Sequence, residues 1–126
     1  MTEVKKFLKD LISLPGVSGF ETPVRQRIEQ EWKPLSDHLE TSLVGSLHAL
    51  KRGEGKEPRA RILLAAHMDA IGFMVTALDQ GFLHITEIGG FDPRLLPGQA
   101  VVVHGKQDLP GVVIQPPDRL LPPGQA

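Results

Sequence analysis

The stretch Leu63-Leu64-Ala65-Ala66-His67-Met68-Asp69 holds the residues best suited to chemistry. Four apolar residues lead to a histidine, and an aspartate lies two positions on. Side chains of an extended chain repeat every two residues, so His67 and Asp69 fall on one side. Sites in α/β sheets form at the carboxyl ends of buried strands, which is where a strand closing in His-x-Asp would put them. If His67 ligates a metal, Asp69 can orient it or a neighbouring ligand from behind. An imidazole suits Zn²⁺ or Co²⁺, and added carboxylates would give a mixed nitrogen and oxygen site. The same residues also read as a buried, hydrogen-bonded histidine followed by a turn-forming aspartate, and spacing alone leaves both readings open. His38, His48, His84 and His104 alternate with apolar residues or close strand-like runs, and each reads as a solvated or satisfied histidine. No Gly-x-Ser-x-Gly elbow, His-Glu-x-x-His pair or phosphate-binding glycine loop occurs. Gly89-Gly90-Phe91-Asp92-Pro93-Arg94 is a second feature: a loop between strands, or a packing loop meeting the catalytic layer or a partner subunit.

The elements that must position these residues follow from pattern. Val4, Phe7, Leu8, Leu11 and Ile12 recur at helical spacing, and Leu14-Pro15-Gly16 stops that helix. A second helix is expected from Thr22-Pro23, with Thr22 as cap, Val24, Ile28 and Trp32 as its stripe, and Pro34 ending it. Ser18 and Glu21 also fit a capping box. HLETSLVG and SLHALKRG predict a hairpin pivoting near Gly45. ARILLAA is a continuous apolar run, so residues 61–66 are expected as a central strand buried on both faces, with His67 at its carboxyl end facing a cleft. IGFMVTALDQ and GFLHITEIGG flank a Gln80-Gly81 turn, and QAVVVHG and LPGVVIQ follow as short strands. The order implies an α/β fold class: a piece of an α/β layer up to about residue 70, then a small β-barrel or PDZ-like module. RLLPGQA at 94–100 is echoed by RLLPPGQA at 119–126, too short a match to make a solenoid.

Composition narrows the function classes. The chain has 126 residues, 40% apolar and 23% charged, which is globular composition and enough for one core. With 14 basic and 15 acidic residues the net charge is -1, which argues against a nucleic-acid partner. There is no cysteine, so disulfides, thiolate metal sites and cysteine nucleophiles are excluded. No apolar run approaches the roughly 18 residues of a spanning helix, and the amino terminus alternates charge with apolar residues, so a cytoplasmic protein without a membrane partner is expected. Five of the 11 prolines fall in the last 17 residues, and the chain stops in loop-like sequence, which reads as a fragment.

PGVSGFE at 15–21, AAHMDAIGFMV at 65–75 and IGGFDPRLLPGQAVVVHG at 88–105 resemble, in order and spacing, the tetrahedral aminopeptidase family over essentially the whole chain. These dinuclear-metal enzymes include glutamyl and deblocking aminopeptidases and have often been labelled endoglucanase or cellulase. The resemblance implies residues 1–70 as the amino-terminal part of an α/β catalytic domain and 71–126 as part of a β-rich, PDZ-like dimerisation domain. It implies His67 as the first metal ligand and Asp69 as the catalytic-site aspartate supporting the metals. It further implies two divalent ions (Zn or Co), a peptide substrate and a homo-oligomer. The family's other metal ligands and its catalytic glutamate follow the dimerisation domain, after the residues given. Ser42 and Ser46 stand where the family usually has Asp and Asn, Ala70 where it has Glu, and Asp118 where it has His. Two expectations result: the amino-terminal portion of a metallo-aminopeptidase that alone is inactive and binds metal weakly, or a non-catalytic oligomerisation remnant of that family.

Overall fold

The computed structural model describes residues 4–116. Asp118 and the second Arg-Leu-Leu-Pro copy lie outside the described residues. The chain forms two compact units, one up to Gly90 and one from Phe91 onward.

In the first unit, α1 (Val4–Ile12) stops where Pro15 and Gly16 predict, and α2 (Thr22–Trp32) runs into a 3₁₀ turn at Lys33–Leu35. The N-cap of α2 is Glu21, not Thr22, and it makes no side-chain capping bond; Pro23 sits in the first turn. Glu21 instead accepts from the Gly19 N–H at 2.6 Å, which tightens the turn before the helix. Arg27 links the two helices. Its guanidinium lies 4.7 Å from the Phe7 ring centroid and reaches Asp10 Oδ2 at 3.2 Å and Glu31 Oε2 at 3.1 Å.

The hairpin β1 (His38–Thr41) and β2 (Leu47–Leu50) pairs Thr41 with Leu47 and His38 with Leu50. Gly45 turns it at φ 89°, and the Ser46 N–H donates to Ser42 Oγ at 3.1 Å. Asp37 closes its open end, accepting from the Arg52 N–H at 2.6 Å and from Lys51 Nζ at 3.3 Å. A second hairpin, β3 (Gly72–Asp79) and β4 (Phe82–Ile88), reverses at Gln80 (φ 48°) and Gly81 (φ 85°). Two successive positive-φ residues match the right-handed twist of the flanking strands. A bulge between Val75 and Ala77 shifts the register, and Thr76 Oγ1 there donates to the His84 carbonyl at 3.2 Å.

The second unit opens with a 3₁₀ turn at Pro93–Leu95, capped by Asp92, which accepts from the Arg94 N–H at 3.0 Å. Arg94 folds back on the same carboxylate, its Nη2 2.6 Å from Oδ2. β5 (Ala100–Val103) then pairs antiparallel with β6 (Leu109–Val112).

Two expectations are corrected. Residues 61–66 are neither a strand nor buried: Ile62, Leu63 and Leu64 are 86–89% exposed. No described strand pairs with this run, and a buried strand needs neighbours on its edges and a layer on each face. Nor is a single large core formed. Val24, at 5% exposure, is the sole buried apolar side chain among the described residues, and the stripe of α1 stays open at Val4, Leu8 and Ile12. The mixed α and β character holds. The described strands form three two-stranded antiparallel sheets.

Candidate functional site

The site begins with a close backbone approach. The Ala70 N–H donates to the Gly16 carbonyl at 2.7 Å, and Val17 and Ala70 form an isolated parallel bridge. Two glycines permit it. A Cβ on Gly16 would lie 2.6 Å from Val24 Cγ2, and one on Gly72 would lie 2.5 Å from Val17 Cγ2. The turn after α1 is therefore wedged between buried Val24 and the start of β3. The segment carrying His67 and Asp69 is tied to that turn.

The spacing argument for His67 and Asp69 holds in the structure. His67 Nδ1 lies 3.0 Å from Asp69 Oδ1 and 3.1 Å from the Asp69 carbonyl oxygen. Both partners are acceptors, so Nδ1 is the donor in these contacts, and in the neutral ring that would leave the lone pair at Nε2. Asp69 Oδ2 accepts a short hydrogen bond from Ser18 Oγ. The two carboxylate oxygens are thus divided between Ser18 and His67. The Ser18 hydroxyl first, and His67 second, hold the Asp69 carboxyl below its ordinary range, because both donate to the ionised form. The His67 side chain is 85% exposed, so the buried-histidine reading is corrected. It borders an open cleft of about 320 Å³ that Glu21, Ile28, Trp32, Ser46 and Asp69 also line.

The arrangement offers one imidazole nitrogen, oriented from behind, to a cation or a proton. It does not offer a full coordination sphere: among the described residues no group of three His, Asp or Glu could hold a metal ion. His38 and His48 flank Glu40 at 3.3 and 3.7 Å on β1 and β2. His104 pairs with Asp108 at 2.9 Å in the turn between β5 and β6. Sequence reasoning missed Ser18, which it assigned to a capping box. Its real partner is 51 residues away, and nothing short-range signals that pairing.

A family model described as M42 glutamyl aminopeptidase matches residues 45–125. Among curated proteins, one from Acetivibrio thermocellus provisionally named an aminopeptidase is 41% identical over 95 residues, covering 75% of this chain and 28% of that protein. Among solved structures, a TET aminopeptidase from a marine sediment archaeon of the Thaumarchaeota aligns with a TM-score of 0.82 at 31% identity, over 94% of this chain and 33% of that one. A Thermotoga maritima protein titled endoglucanase aligns with a TM-score of 0.71 at 40% identity, over 80% of this chain and 32% of that one. The chain spans about 28% of the length of the first of these relatives.

Proposed function

Because the chain belongs to the M42 glutamyl aminopeptidase family, we propose that it forms part of a metal-dependent aminopeptidase acting on peptides, with His67 as its first metal ligand. The observation that carries this reading is the Asp69 carboxylate behind the ring, with Oδ1 3.0 Å from His67 Nδ1, while the ring itself is exposed at the cleft. His67 and Asp69 fit one ligand and its support; the remaining ligands and the general base would come from outside residues 4–116. When bound, a pair of divalent ions (Zn²⁺ or Co²⁺) polarises a scissile carbonyl and lowers the pKa of a water. The contribution of this chain is to aim one imidazole, with Asp69 behind its Nδ1.

In this reading residues 1–70 belong to the catalytic layer and 71–126 to a PDZ-like dimerisation module. The apolar residues that β3 and β4 leave open, Val75, Leu78, Phe82 and Ile85 among them, support a homo-oligomer. A cytoplasmic location is part of the same proposal.

Zn²⁺ titration of the 126-residue chain, followed through histidine ring nitrogens, tests the ligand assignment. His67 Nε2 should shift first and saturate weakly, and no aminoacyl reporter substrate should be cleaved. An unmoved His67 removes it as a ligand. Tight stoichiometric binding of two ions, or reporter cleavage, shows a complete site and overturns the reading of a partial one.

A further inference from the structure

Ser18 sits on a turn that is held on both sides. Gly16 and Val17 on one side are fixed by Ala70, Gly72 and Val24. On the other side Gly19 adopts φ 89° and donates to Glu21. From that fixed point the Ser18 hydroxyl reaches Asp69 Oδ2, while Oδ1 faces His67 Nδ1. An aspartate's terminal torsion is broad and roughly two-fold, so a carboxylate held by one oxygen alone swings easily. Held by both, it presents one oxygen in one direction.

We infer that Ser18 is a positioning residue, which acts through Asp69 to hold His67 in the Nδ1–H tautomer with Nε2 available as a ligand. The inference rests on the reading of His67 as a metal ligand and adds to it a residue, Ser18, that the reading does not need. The backbone ties at Gly16 and Val17 do not involve the hydroxyl. Removing the hydroxyl therefore leaves the loop seated and frees the carboxylate alone. A purely structural role makes the opposite demand: the Gly16–Ala70 contact would loosen with it.

The test needs neither bound metal nor activity. Long-range proton–nitrogen correlation on the 126-residue chain at about pH 9, where imidazoles are neutral, reports the His67 tautomer. Hydrogen exchange at the Ala70 amide reports the loop. The wild-type chain should show His67 as Nδ1–H. Ser18→Ala should lower that population measurably, with Ala70 still protected, because the carboxylate, one of the two acceptors facing Nδ1, is then free to swing while the Asp69 carbonyl stays. Ser18→Thr, which keeps a hydroxyl, should restore it. An unchanged tautomer in Ser18→Ala overturns the inference, as does an Nε2–H wild type. Loss of Ala70 protection in Ser18→Ala makes the residue a structural clamp and equally overturns it, and so does a Ser18→Thr chain that behaves like Ser18→Ala. A chain with the expected tautomers whose Nε2 ignores Zn²⁺ would keep the positioning role and sink the ligand assignment instead.

Discussion

Two apolar stretches of the first unit meet different fates. Gly72–Asp79 folds into β3 and pairs along its length with β4. Arg61–Ala66 is more uniformly apolar at its centre and forms no ladder, with Ile62, Leu63 and Leu64 almost fully open. Intrinsic strand preference does not separate them. β3 carries its partner a two-residue turn away, and Gln80 and Gly81 take the positive φ values that turn needs. Residues 61–66 have no such neighbour among the described residues, and a strand's backbone groups gain little without one. The His67–Ala70 segment that follows is held by side-chain and backbone ties to residues 16–18 and not by a sheet.

The strongest break of this comparison is at the far end of β4. Gly89 has φ 87°, and a Cβ there would meet Ile71 Cγ2 at 2.6 Å. Gly89→Ala adds left-handed strain to overpacking, together about 2–4 kcal/mol. Hydrogen exchange across β3 and β4 should speed up accordingly, starting at the Gly72–Ile88 pair. Retained protection would show that the hairpin does not depend on its closing contact.

A smaller effect is expected at the β1–β2 hairpin, which like β3–β4 closes locally but through charge. The Arg52 N–H, then Lys51, hold the Asp37 carboxyl below its ordinary range. A carboxylate with a depressed folded pKa stabilises above its unfolded value and loses that contribution as pH falls through the folded one. Amide protection in β1 and β2 should therefore be steady above about pH 4 and decline below it. In Asp37→Asn that decline should shrink to the share carried by Glu40, whose carboxyl His38 and then His48 hold below its ordinary range, and protection should be weaker at neutral pH. An unaltered acid profile in the variant would assign the closure to the strands themselves.

The smallest effect belongs to the open run. Leu64→Ser should change unfolding stability by no more than about 0.5 kcal/mol, as for an exposed site without a special role. Denaturant titration of the dilute chain measures it. A loss of about 2 kcal/mol or more would mean that Leu64 is covered in solution. Size exclusion with light scattering would then show whether a second copy covers it.

Much of the local architecture was legible. Leu14-Pro15-Gly16 ends α1 and Thr22-Pro23 begins α2 because proline and glycine restrict the backbone within a turn. Gln80-Gly81 and Gly45 mark reversals for the same short-range reason. The His67–Asp69 contact was also legible, since an i, i+2 relation in extended chain is a matter of geometry. The burial expected of 61–66 was not, because burial belongs to whatever packs on a run and not to the run itself.

The sequence by itself determined where the chain turns, which residues share a side, and that His67 and Asp69 meet, all consequences of steric limits over a few residues. Only the tertiary structure decided that Ser18 serves Asp69 and not the start of α2. A serine hydroxyl gains a similar hydrogen bond from a helix terminus or a carboxylate. The choice fell to the approach of Gly16 and Ala70 across more than 50 residues, which brings the Asp69 carboxylate within reach of the hydroxyl, while the N–H donors at the start of α2 receive no side-chain cap.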